Sequence, residues 1–265
     1  MKMNFLITIL LLLLGLNVRA QEVSISQELI TDRPDATESP SVVPSGSLQV
    51  ETGALFTSFE KDNRLTEVYT FNTTLLRYGI LDKVELRLGW NLDEEQTTID
   101  TESMEATTAR FSPLLFGAKL AIAQENGWKP EIGLVGHLFL PFTAPKEIRP
   151  QYTSADFRFA FNHTLSEKSG IAYNIGAQWE SDDPEIAYIY TLAYGYSLTD
   201  KLGAYVELYG DVPEDSKSNH FWDAGFTYAV TPLMQMDATV GQSITDGQDI
   251  LVSVGLSFRI DKKIK

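Results

Sequence analysis

Residues 188–198 read YIYTLAYGYSL. Tyr188, Tyr190, Leu192, Tyr194, Tyr196 and Leu198 fall on one face of an extended chain, and Ile189, Thr191, Ala193, Gly195 and Ser197 on the other. A period of two is the signature of a β-strand. A tilted strand needs about 9–11 residues to cross a bilayer, and this run has that length. In a soluble sheet the polar face meets water and the apolar face turns inward. Here the apolar face is large and aromatic, while the opposite face is small or mildly polar. That assignment suits a barrel wall with lipid outside and a polar lumen inside.

The pattern recurs along the chain. Ile250, Val252, Val254, Leu256 and Phe258 oppose Leu251, Ser253, Gly255 and Ser257. Leu202, Ala204, Val206 and Leu208 oppose Gly203, Tyr205, Glu207 and Tyr209. Val84, Leu86, Leu88 and Trp90 oppose Glu85, Arg87 and Gly89. Phe157, Phe159 and Phe161 oppose Asp156, Arg158, Ala160 and Asn162. Short turns recur at 81–83, 125–127, 166–169, 199–201 and 231–232, and longer polar connections lie near 60–65, 92–107, 142–153, 181–185, 212–219 and 244–249. Those eleven connections imply about twelve strands over residues 46–260. The fold class is therefore all-β: a transmembrane antiparallel up-and-down β-barrel, with short periplasmic turns, longer outside loops and both termini on the periplasmic side. Pro113 interrupts the fourth strand, where a bulge is expected.

The chain opens MKMNFLITILLLLLGLNVRAQ. A positive start, a 12-residue largely apolar run from Phe5 to Leu16 and small residues at Val18 and Ala20 form a secretory signal, residues 1–20, cleaved near Ala20. The run falls short of the about 20 apolar residues a membrane helix needs. There is no cysteine, which excludes disulfides, thiol chemistry and a lipoprotein anchor. The formal charge is −15, and −17 once Lys2 and Arg19 leave with the signal, so nucleic acid is not an expected partner. Outer-membrane lipid, lipopolysaccharide and the barrel-assembly machinery are, together with a small solute. Residues 261–265 form a short periplasmic tail.

Between signal and barrel, residues 21–45 form a periplasmic segment containing ITDRPDATESPSVVPSG at 30–46. It is too polar for a core strand and too rich in proline for a helix. Attached to the mouth of a narrow bore, Thr31 to Pro40 reads as a plug or constriction, with a free tether as the alternative. Asp32, Arg33, Asp35 and Glu38 could then pair with lumen charges such as Arg87, Arg158 or Glu207.

Strand parity places Glu51, Glu85, Arg87, Lys119, Glu131, Asp156, Arg158, Glu207, Asp223 and Asp237 inside, with His137. Seven acids against three bases favour cations or neutral solutes in a wet channel, or else a salt-bridged closed interior. No catalytic residues, metal ligands or cofactor follow from the spacing. The three histidines, His137, His163 and His220, leave a lipid-acting barrel enzyme as a rival reading. The acidic stretch Asp93, Glu94, Glu95, Asp100, Glu102 and Glu105 reads as a solvated outside loop.

Four stretches, TDRPDATESPSVVPSGSLQVETG, RYGILDKVELRLGW, FGAKLAIA and LFLPFTAP, resemble the bacterial outer-membrane barrel family named for a phenol-degradation meta-pathway. The chain departs from that family at Pro141-Phe142-Thr143-Ala144, where Pro-Thr-Gly is the usual pattern. The resemblance implies a transporter-like barrel for small hydrophobic or aromatic compounds and supplies no binding residues. Passive passage or binding of a small solute is thus the leading function, ahead of the lipid enzyme and a closed structural barrel.

Overall fold

The computed structural model describes residues 28–61, 63–99, 102–106, 109–179, 185–245 and 247–262. The signal at 1–20, residues 21–27, Asp100, most of the connection 181–185 and residues 263–265 lie outside that range. Twelve antiparallel strands form a closed barrel. They are β1 (Leu48–Lys61), β2 (Arg64–Leu81), β3 (Val84–Ile99), β4 in three pieces (Glu102–Ala106, Arg110–Phe111 and Leu114–Ala123), β5 (Glu131–Leu140), β6 (Ser154–Ser166), β7 (Ser169–Trp179), β8 (Ile186–Ser197), β9 (Leu202–Pro213), β10 (Asn219–Thr231), β11 (Met234–Ser243) and β12 (Gln248–Ile260). Each strand pairs with its sequence neighbours, and β1 closes on β12 from Leu48↔Ile260 to Phe59↔Gln248. Closure leaves no unpaired strand edge to face hydrocarbon.

The faces sort as alternation demands. Val206, Phe226 and Ile175 on the outer wall are 57 %, 56 % and 59 % exposed, whereas Glu85 and Lys119 on the inner wall are 0 % exposed. The most deeply buried large side chains are Arg77, Arg87, Lys119, Gln49, Glu51 and Glu85. The interior is a polar network, and the apolar surface faces outward. Such an arrangement is stable only where lipid replaces water on the outside.

Two connections differ from their sequence reading. Strands β1 and β2 stay paired through the 60–65 connection, with Lys61 opposite Arg64 and Asn63 at φ 61°. The acidic stretch at 93–99 is strand: Asp93, Glu94 and Glu95 pair with Thr70, Tyr69 and Val68, and β3 continues into the first piece of β4. The physical reason is common to both. Both stretches carry polar or charged residues on both faces of the strand, so alternation vanishes while the backbone ladder persists.

At Pro113 the fourth strand breaks rather than bulges by one residue. Asn91 N–H donates to Ser112 Oγ at 2.9 Å, and Leu114 N–H donates to Thr143 Oγ1 at 2.8 Å. Side-chain hydroxyls accept from backbone donors on both flanks of a residue that has no N–H, while Ser112 N–H still donates to Asn91 O at 3.0 Å.

Candidate functional site

The N-terminal segment lies inside the barrel. It enters at the short-turn end, where Leu29 N–H donates to Pro232 O at 3.2 Å, and returns there, where Gly46 N–H donates to Gly79 O at 2.7 Å. Between these points Asp32 to Pro40 lies across the lumen at mid-strand depth. The wall is shaped for it. A Cβ on Gly133 of β5 would come within 2.7 Å of Pro40 O and 2.8 Å of Pro40 Cα, so only glycine lets the two backbones approach this closely.

One half of the lumen, lined by β1 to β5, is a cationic nest filled by acids. Arg77 on β2, Arg87 on β3 and Lys119 on β4 meet Asp32 and Glu38 of the segment and Glu51 and Glu85 of the wall. Asp32 Oδ2 lies 2.9 Å from Arg77 Nη1, 2.9 Å from Arg87 Nη2 and 2.8 Å from Lys119 Nζ. Glu38 accepts from Arg87 Nη1 at 2.8 Å and lies 3.2 Å from Lys119 Nζ. Arg77 also binds Glu51 at 2.8 Å and Glu85 at 2.8 Å. The segment backbone is held in the same network. Asp32 N–H donates to Glu51, Val43 N–H to Glu85 at 2.8 Å, and Lys119 Nζ donates to Ser39 O at 2.8 Å. Burial disfavours ionised Glu38, but Arg87 and Lys119 outweigh it and hold the carboxyl well below the ordinary glutamate range.

Across the lumen, on β5 to β11, the charges are differently matched. Arg33 pairs with Asp237 at 2.9 Å. Ala36 N–H donates to Glu207 Oε2 at 2.8 Å, and the Thr37 hydroxyl donates to the same carboxylate. Asn174 brackets Glu38, accepting from its N–H at 2.7 Å and donating to its carbonyl at 2.9 Å. Arg158 Nη1 donates to Ala36 O at 3.2 Å, and Glu131 accepts from Ser41 Oγ at 2.9 Å. His137 and Asp156 bond each other at 3.0 Å. Asp223 is buried beside Glu207, with Oδ1 lacking a hydrogen-bond partner. Asp35 takes part in none of the ion pairs among the described residues. Burial first, and then the Glu207 and Asp223 carboxylates, push its carboxyl well above the ordinary aspartate range.

The residues selected by parity thus all face the lumen. Asp32 and Glu38 pair with Arg87, one of the expected partners, and both also reach Lys119. The other two expected partners act differently. Arg158 reaches a backbone carbonyl, and Glu207 holds backbone and hydroxyl rather than a cation. The central cation Arg77 was not among the parity-selected residues. It lies directly across the ladder from Arg87, so the pairing through the 81–83 turn carried the signal. Of the three histidines, His137 bonds Asp156, His220 Nδ1 lies 2.9 Å from the Tyr190 hydroxyl, and His163 stacks on Tyr173. None of these contacts is a serine–histidine pair.

Of the cavities that border the segment, two meet at Arg33. One, of about 440 Å³, opens at the short-turn end and is bordered by Arg33, Pro34 and Asp35 with Gly170, Ala172, Ala193, Gly195 and Tyr205. The other, of about 300 Å³, lies on the long-hairpin side; Asp32, Arg33, Glu38 and Glu51 line it together with Leu75, Trp90, Pro113, Leu115 and Phe139.

Solved structures share the architecture. An outer membrane channel from Pseudomonas putida F1 superposes with a TM-score of 0.67 at 13 % identity, covering 83 % of this chain and 98 % of that one. The translocator domain of autotransporter NalP from Neisseria meningitidis gives 0.53 at 9 % identity, over 82 % and 90 %. The KdgM porin gives 0.51 at 7 % identity, over 80 % and 99 %. No curated protein matches the chain in sequence. The model of the family described as "Putative MetA-pathway of phenol degradation" matches residues 31–260, from the lumenal segment to the last strand, and the chain belongs to that family of outer-membrane barrels.

Proposed function

We propose that this barrel is a passage for a small, apolar or aromatic solute, closed at rest by residues 30–46. The observation that carries the reading is the cavity on the long-hairpin side. Its walls include Leu75, Pro113, Leu115 and Phe139, and its floor is the charged segment. Its volume of about 300 Å³ exceeds the roughly 150 Å³ that suffices for a benzene-sized guest in an apolar site. The segment below it separates this cavity from the one at the short-turn end. The mechanism is selection by shape and charge, with no covalent step. The family description and the likeness to an outer membrane channel support it.

The test is uptake of a radiolabelled monoaromatic by cells whose lipopolysaccharide layer slows its entry, with and without the protein. Expression raises uptake, and Leu115→Asp, which puts a charge into the apolar wall, returns it to background. Equal uptake with and without the protein refutes the proposal. The ion-pair nest favours one rival, a permanently closed structural barrel. That reading requires the protein to remain silent in uptake and in conductance even when residues 28–40 are deleted.

A further inference from the structure

Among the described residues Arg33 alone borders both cavities. Its guanidinium spans from the segment to the β1–β2–β11–β12 wall. Nη2 donates to Asp237 Oδ1 and to Ser253 Oγ, each at 2.9 Å, while Nε reaches Asp237 Oδ2 and Nη1 reaches Thr73 Oγ1, each at 3.3 Å. It lies over two glycines. A Cβ on Gly255 would stand 2.3 Å from Nε and Nη2, and one on Gly53 would stand 2.7 Å from Nη2.

The rest of the segment is anchored elsewhere. Asp32 and Glu38 are fixed by Arg77, Arg87 and Lys119, and Ala36 and Thr37 by Glu207. None of those anchors involves the Arg33 side chain. The guanidinium can therefore leave its seat while the segment backbone stays in place.

We infer that the Arg33 side chain is the gate between the two cavities and that Asp237 is the charge filter it uncovers. This rests on the reading of the barrel as a passage closed by the N-terminal segment. With Arg33 withdrawn, the gap lies between the segment and a wall made of Gly53, Gly255, Thr73, Ser253 and Asp237. The glycines keep it from closing, and the uncovered carboxylate favours cations and neutral solutes over anions.

The experiment is single-channel recording in planar bilayers under a KCl gradient, with folding checked by the heat-dependent gel mobility of the barrel. Arg33→Ala raises conductance several-fold and shifts the reversal potential toward the cation value. Arg33→Ala with Asp237→Asn conducts without that shift. Gly255→Ala, whose added methyl meets first the movable end of Arg33, opens the path with Arg33 still present. In all three a protease that cuts after acidic residues cleaves Glu38 no faster than in the unmodified protein. An Arg33→Ala channel as closed as the unmodified one overturns the inference, as does opening that appears only when Glu38 becomes cleavable. Deleting residues 28–40 separates the two levels. If the deletion conducts and Arg33→Ala does not, only the gate falls; if neither conducts, the passage itself falls.

Discussion

Arg87→Met removes the cation that ties both segment acids to the wall. Arg87 lies 2.9 Å from Asp32, 2.8 Å from Glu38 and 3.6 Å from Glu85, and its own side chain is 0 % exposed. Deleting one partner of a buried ion pair costs about 3–5 kcal/mol, because the remaining charge stays desolvated. Two anchors survive here. Lys119 still reaches both segment acids, and Arg77 still reaches Asp32. The lower end, about 3 kcal/mol, is therefore the appropriate figure, and at about 1.4 kcal/mol per tenfold it raises the undocked population roughly 100-fold. The loss falls on the segment, since the β3 ladder does not depend on the Arg87 side chain. A protease specific for acidic residues reads this directly. When undocking is fast relative to cleavage, the cut at Glu38 tracks the undocked population. The expected result is cleavage accelerated about 100-fold with the barrel still folded by gel mobility. Acceleration below threefold in a folded barrel would refute the claim that this nest holds the segment.

Other substitutions probe other parts of the account. Asp35 holds its proton more tightly docked than free, so its contribution is full at pH below the free aspartate range and fades as pH rises toward its raised docked value. Asp35→Asn should slow Glu38 cleavage at pH 7–8 and flatten its rise with pH; an unchanged profile contradicts this. Glu38 acts in the opposite sense: its contribution is present above the free glutamate range and is lost as pH falls through its depressed docked value; Glu38→Gln should abolish that dependence, read as cleavage after Asp35 because the variant removes the Glu38 site. Gly133→Ala drives a methyl into the Pro40 backbone and should weaken docking by about 1–3 kcal/mol, whereas Gly195→Ala, with open space around it, should leave cleavage unchanged. Val254→Arg, on the outer wall and 54 % exposed, should cost about 2–4 kcal/mol in a bilayer folding titration, and a neutral effect would mean that this face does not meet hydrocarbon.

The barrel was legible because its signal is local. Tyr188 to Leu198 and Ile250 to Phe258 each carry the face assignment within one strand, and the Asp82-Lys83 and Asp200-Lys201 turns mark where strands reverse. Legibility failed where the environment changed but the backbone did not. Asp93 to Glu95 look like a loop in sequence because charge falls on both faces of the strand there, while the ladder to Thr70, Tyr69 and Val68 persists. The lumenal site was legible as a set of charges and illegible as a set of pairs. Asp32 meets Lys119 across 87 positions and Thr37 meets Glu207 across 170, and such contacts leave no trace in any short window. Arg77 lies before the alternation that starts at Val84, and only its alignment with Arg87 across the hairpin reveals that it faces the same nest.

Planar-bilayer conductance of the protein lacking residues 28–40, beside the full chain, shows whether residues 30–46 close an otherwise continuous bore. The deletion should turn rare, small events into sustained channels at least several-fold larger, with the barrel folded. A folded deletion protein whose conductance equals that of the full chain would contradict that closure.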